Sequence, residues 1–144
     1  MIVLDTTVLV YAKGAGHLYR EPCRELIAAV AEGRVEATST VEVIQEFAHV
    51  RARRRDRADA AALASDFAEL LSPLIEVRRD DLDRGLALYA SAGSLGAFDS
   101  VLVAAAVSRG AEALVSADTA FSEAAAIRHV LPDPDGVAGL LAPG

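Results

Sequence analysis

The sequence predicts an α/β chain, a mainly parallel sheet of about five strands with helices on both faces. Short β-branched runs alternate with helical segments along almost the whole length, the helical segments begin and end on capping signals, and the apolar content of 53% is carried by aliphatic residues with almost no aromatic ones. Strands separated by helices favour parallel pairing, and ligands in such sheets bind beyond the carboxyl ends of the strands.

Each element has its own signal. Ile2-Val3-Leu4 reads as a buried strand ending at Asp5, and Thr6-Thr7 can cap a short helix through Tyr11. Pro22 near the start and Gly33 past the end frame a helix from about Arg20 to Glu32. Val35 to Thr38 is the second strand; Ser39 or Thr40 then caps a helix that runs into an arginine-rich segment. Ala58 to Leu71 is a further helix, stopped by Ser72-Pro73, and Leu74 to Val77 is the third strand. Asp80 and Asp81 suit the positive N-terminus of a helix reaching about Ala92, where Gly93 and Gly96 open a loop. Phe98 to Arg109 is a helix ended by Gly110, Ala113 to Ser116 the fourth strand, Thr119 to Ala126 a short helix, and His129 to Leu131 the fifth strand. Pro132-Asp133-Pro134-Asp135 reads as a turn.

At 144 residues the chain fits one domain, residues 1–144, with no repeat, linker or low-complexity tract. One cysteine, Cys23, excludes an internal disulfide, and Asp5 stands where a secretory signal would carry basic and then apolar residues, so a cytoplasmic location is expected. The longest apolar run, Val101 to Val107, falls well short of the ~18 residues needed to cross a bilayer.

A net charge of −7 argues against a protein that coats nucleic acid. It leaves room for a nuclease, because acids gathered in a metal pocket become attractive to phosphate once a cation is bound. The charge is also polarised, with five of the fourteen basic residues in one segment: Arg51, Arg53, Arg54, Arg55 and Arg57. Locally, that segment reads as a solvated helix end, where basic residues favour the dipole.

Four acids stand out by position. Asp5 and Asp118 each follow a strand at the edge where such sheets place functional groups, and Asp99 opens the very apolar helix from Phe98; read locally, each also suits a helix cap. Glu46 is different, since a carboxylate in a helix interior satisfies no cap. At 100° per residue Val41, Ile44, Val43, Phe47, Ala48 and Val50 cover one half of its helix, and Glu46 lies about 40° outside Val50. Glu42, one turn earlier, is the second choice for an inward role. Four gathered carboxylates repel, and oxygen-only ligation suits Mg²⁺ or Mn²⁺, two of which can activate water and stabilise a leaving oxygen. Cys23, His17, His49 and His129 show no zinc spacing, and phosphate-binding glycine loops and nucleophile elbows are absent.

The same residues resemble the PIN-domain nucleases, especially the VapC-type toxins of bacterial toxin–antitoxin modules. The resemblance runs through Ile2 to Tyr11, Thr38-Ser39-Thr40 with Val43 to Phe47, Phe98-Asp99-Ser100 with the Val/Ala helix, and Leu114 to Phe121. It implies a three-layer α/β/α sandwich and metal-dependent endonucleolytic cleavage of RNA. It also implies a VapB-like antitoxin as partner and a homodimer as assembly. Asp5, Glu46, Asp99 and Asp118 match the acidic quartet of the family, and Ser116 its hydroxyl residue two before the last acid. Thr7 stands where Asn is frequent, which implies an altered hydrogen bond near the metal, and Ala120 where many members carry another acid, which implies a weakly held second metal ion and a one-metal site in the resting protein. On this reading Asp5, Asp99 and Asp118 hold Mg²⁺ or Mn²⁺, Glu46 positions or deprotonates the attacking water, Thr7 and Ser116 support them, and Arg51, Arg53, Arg54 and Arg55 are candidate RNA or antitoxin contacts. The alternative is a PIN-like module that binds RNA or a protein partner without cutting; a phosphohydrolase would want a second Asp at Thr7.

Overall fold

A computed structural model describes residues 1–143. In chain order the elements are β1 (Ile2–Leu4), α1 (Thr6–Lys13), α2 (Arg20–Ala31), β2 (Ala37–Thr38), α3 (Val41–Ala52), α4 (Arg57–Leu71), α5 (Arg79–Ser91) and α6 (Ala97–Ser108). There follow β3 (Ala113–Val115), a 3-10 turn (Thr119–Glu123), β4 (Arg128–Val130) and α7 (Pro134–Leu141).

The strands form one parallel sheet in the order β2-β1-β3-β4. β1 and β3 are buried at every residue, as expected of central parallel strands covered on both faces. From β1 the chain moves to β2 on one side, and from β3 it moves to β4 on the other, so the strand order reverses between β1 and β3. An open parallel sheet forms a crevice beyond the strand ends at such a reversal. The Asp5 N–H donates to the Val115 carbonyl at 3.0 Å, which carries the β1–β3 pairing past the last strand residue.

The sheet has four strands among the described residues, where the sequence predicts about five. Leu74 to Val77 is not a strand: only Ile75 bridges to Thr40, with its N–H on the Ser39 carbonyl at 2.9 Å. Pro73 offers no N–H to a ladder, and its carbonyl is taken by the Thr38 hydroxyl at 3.0 Å, so pairing stops after one residue. The segment after β4 differs as well. Pro132 to Asp135 leads into α7 rather than forming a plain turn, with Asp133 as the cap accepting the Gly136 N–H at 2.7 Å and Pro134 at the first helical position. At α3, Thr40 rather than Ser39 is the cap, accepting the Val43 N–H at 3.2 Å. Val41, placed by periodicity on the buried half, is 49% exposed, because at the first helical position nothing packs over it.

α1 packs on α2 and α3, α3 on α4, and α5 on α6. Phe47 and Phe67 meet edge to face at 5.1 Å between ring centres, joining α3 to α4 inside the core. α5 and α6 approach most closely at Gly85, where a Cβ would fall 2.6 Å from the Val101 Cα. Asp81 is buried at the start of α5 and accepts the Arg78 N–H at 2.9 Å. The α5–α6 packing also fixes the position of Asp99, which lies in the first turn of α6.

Gly85→Ala is therefore expected to destabilise the fold by about 1–3 kcal/mol through overpacking, despite the better helix propensity of alanine. Urea unfolding reads the change; a variant as stable as the parent would show that the α5–α6 approach is not tight.

Candidate metal centre

Asp5 sits one residue past β1 and caps α1 by position, yet its carboxylate makes no capping bond. Instead Asp5 Oδ2 accepts the Ser116 hydroxyl at 2.7 Å and the Thr7 hydroxyl at 3.1 Å. Both hydroxyls are committed in a fixed direction. Thr7 Oγ1 accepts the Ala117 N–H at 2.9 Å, and Ser116 Oγ accepts the Asp118 N–H at 3.0 Å. His129, on β4, donates from Nε2 to the Ser116 carbonyl at 2.9 Å. Asp5 and Ser116 are both buried, so this network is rigid as well as satisfied. It ties the end of β1 to the end of β3 and leaves Asp5 Oδ1 without either hydroxyl donor.

The other three acids reach the same crevice from separate elements. Asp118 follows β3 and does cap the 3-10 turn, its Oδ1 accepting the Ala120 N–H at 2.9 Å. Asp99 lies in the first turn of α6 and does not cap it; Gly96 occupies the cap position, and the Ser100 hydroxyl takes the Gly96 carbonyl. Glu46 is half-buried on α3. Glu42, also half-buried, instead lines an apolar cleft with Leu82, Leu86 and Phe98.

Electrostatics links the four acids through Asp99. Burial pushes the Asp99 carboxyl up to about 7, helped by the charges of Asp5, Glu46 and Asp118. Burial also raises Glu46, followed by the charge of Asp5, against lowering by the Thr6 hydroxyl and His49. Asp99 thus senses the other three acids, and Glu46 senses Asp5. The acids do not close into a cage: among the described residues no three His, Cys, Asp or Glu side chains form a ready-made metal cluster.

The donors fit a hard divalent cation. They are oxygen only, they destabilise one another as anions, and the Thr6 hydroxyl beside Glu46 is buried without a hydrogen-bond partner. Thr6 was not singled out from the sequence, where it reads as a capping residue; only the folding of α3 against α1 brings it to Glu46.

The arginine segment divides. Arg51 is held internally, with Nε on Asp59 at 2.7 Å and Nη1 on the Lys13 carbonyl at 2.9 Å, so it is a tie between α1, α3 and α4. Arg53 donates to His49 Nε2 at 3.0 Å. Arg54 reaches a cleft that Glu46 also lines, and Arg55 and Arg57 are exposed.

Two comparisons with known proteins bear on this site. Residues 2–127 match the family model of the PIN domain. The chain is also similar to Ribonuclease VapC7 of Mycobacterium tuberculosis, with 56% identity over an alignment of 145 residues that covers 98% of each protein.

The raised Asp99 carboxyl has a consequence for the metal-free protein. A folded-state value of about 7, above the ordinary 3.8, means that ionising Asp99 costs stability, progressively as pH rises from about 4 to about 7 and in full above that. Asp99→Asn removes the penalty. In EDTA at pH 8 the variant is expected to melt about 3 °C or more above the parent, with the gap closing toward pH 4. Equal melting temperatures at pH 8 would show that Asp99 carries no such burden.

Proposed function

The chain belongs to the PIN-domain family and to its VapC-type members, and from that premise we propose that it is a divalent-metal-dependent endoribonuclease, the toxin of a toxin–antitoxin pair. The single observation that carries the reading is the convergence of Asp5, Glu46, Asp99 and Asp118 from four separate elements on the crevice between β1 and β3. Capping does not explain it, since only Asp118 caps a turn.

Asp5, Asp99 and Asp118 are the residues that would hold Mg²⁺ or Mn²⁺, with Glu46 beside them. The cation, when bound, neutralises phosphate charge and makes a coordinated water easier to deprotonate. The rest falls to the chain. Ser116 and Thr7 fix the Asp5 carboxylate before any ligand arrives, so its orientation is not bought from binding energy. Glu46 is placed to orient the attacking water and take its proton, and its raised carboxyl makes it a stronger base than an exposed glutamate. Ala120 contributes no carboxylate beside Asp118, so a single tightly held cation with a weak second site is the expected stoichiometry. Thr7, at a position where the family often has Asn, provides a hydroxyl that holds Asp5.

The remaining features of the biological role follow the family. A VapB-like antitoxin is the expected protein partner, RNA the substrate, a homodimer the assembly, the cytoplasm the location, and one domain the working unit. No described helix is long and apolar enough to cross a membrane. Arg53, Arg54 and Arg55 are the cations available for RNA phosphates or an acidic antitoxin segment; Arg51 is occupied by Asp59 and the Lys13 carbonyl.

Asp5→Asn is expected to lower Mg²⁺-dependent RNA cleavage by about 100-fold or more while leaving the far-UV spectrum unchanged, and EDTA should silence the parent to the same degree. Parent-like cutting by the variant would remove Asp5 from the chemistry. A parent that binds RNA yet cuts neither tRNA, rRNA nor mRNA in Mg²⁺ or Mn²⁺ would favour the non-cutting PIN-like module.

A further inference from the structure

Beside the carboxylate crevice lies a second cavity, of about 460 Å³, between α1, the segment that follows it and α3. Thr6, Thr7 and Glu46 belong to its wall, so it opens directly onto the site that would hold the scissile phosphate. Its other walls differ in chemistry. Tyr11, His17 and Arg54 line it as well.

The rings are organised. Tyr11 and His17 lie 4.5 Å apart between centres at 31°, and Tyr19 meets both edge-on, at 5.5 Å and 86° from Tyr11 and at 5.3 Å and 65° from His17. His17 Nδ1 accepts the Tyr19 N–H at 3.0 Å, which holds the imidazole in place and puts the proton of the neutral ring on Nε2. Packing alone gives no reason for this arrangement, because His17 remains exposed while Tyr11 and Tyr19 rest partly on the core. An ordered, partly open ring surface beside one arginine suits a planar base with its phosphate. Single-stranded nucleic acid is commonly held by stacking on such rings while cations track the backbone.

We propose that this cavity is a nucleotide subsite, holding the base adjacent to the cut against Tyr11 and His17 and its phosphate on Arg54. The proposal rests on the ribonuclease reading and adds to it the residues that choose where the RNA is cut. Stacking on these rings favours the larger planar bases, since a preference of this kind comes from stacking strength rather than from hydrogen-bond readout. Arg54 is a positioning residue for the strand and not part of the chemistry. An acidic peptide is the competing occupant for Arg54, but it gives the ring faces nothing planar to stack on.

The chain has three tyrosines and no tryptophan, and two of the tyrosines are in this cluster, so tyrosine emission reports directly on the cavity. The probe is a single-stranded octaribonucleotide of random sequence in Mg²⁺. It is expected to quench the parent's emission, and His17→Ala and Arg54→Gln should each weaken its binding by about tenfold. In cleavage both variants should raise KM by about tenfold and hold kcat within about threefold, with the nucleotide preference beside the cut flattened in His17→Ala. Parent-like affinity, KM and preference in both variants overturn the subsite while leaving the ribonuclease reading intact. Quenching without any cleavage supports the subsite and sinks the ribonuclease reading; neither quenching nor cleavage sinks both. Loss of affinity for an oligoglutamate peptide with RNA binding unchanged makes the cavity a peptide site and overturns the proposal.

Discussion

Mutual repulsion among four carboxylates is the constraint around which the rest of the molecule is arranged. Without a cation the acids disfavour one another's charge: burial first, and then the charges of Asp5, Glu46 and Asp118, raise the Asp99 carboxyl. They stay together because each is carried by an element fixed by something else. Asp5 is held by the β1–β3 ladder and two hydroxyls, Glu46 by the Phe47 anchor of α3, and Asp99 by the close seat of α6 on α5 at Gly85. Asp118 is held by its own cap and by Ser116. Packing elsewhere thus offsets an unfavourable arrangement at the site, a pattern common where function requires local cost.

Such a site gains from a cation twice, through ligation and through relief of repulsion. That links the buried hydroxyl network to catalysis. Ser116 and Thr7 contact no substrate in the proposed mechanism, but by donating to Asp5 Oδ2 they leave Oδ1 as the oxygen that would face a metal. The neighbouring ring-lined cavity extends the same logic outward. In the proposed reading, preset groups meet each part of the strand, carboxylates through a metal and rings through a base.

Much of this was legible in the sequence where a local rule governs the outcome. Ile2 to Asp5 and Ala113 to Asp118 read correctly as strands running into acids, because a buried parallel strand leaves a continuous apolar run. Glu46 was legible as the acid that capping could not explain. Other features depend on distant partners. Leu74 to Val77 has strand-like composition, but the Thr38 hydroxyl takes the Pro73 carbonyl and the ladder stops. α7 hides behind two prolines that read equally as a turn. Tyr11, His17 and Tyr19 lie in no motif, and Thr6 looks like a cap; only the fold of the segment after α1 against α3 brings them to a cavity.

The proposed chemistry passes through a cation held by the four acids. Titration of Mn²⁺ followed by electron paramagnetic resonance measures that directly, since the free ion gives a sharp signal that fades on binding. The parent protein is expected to bind Mn²⁺, to release it to excess Mg²⁺, and to lose most of that affinity as Asp5→Asn or Asp118→Asn. Equal Mn²⁺ binding by the parent and both variants would contradict the assignment of the metal centre.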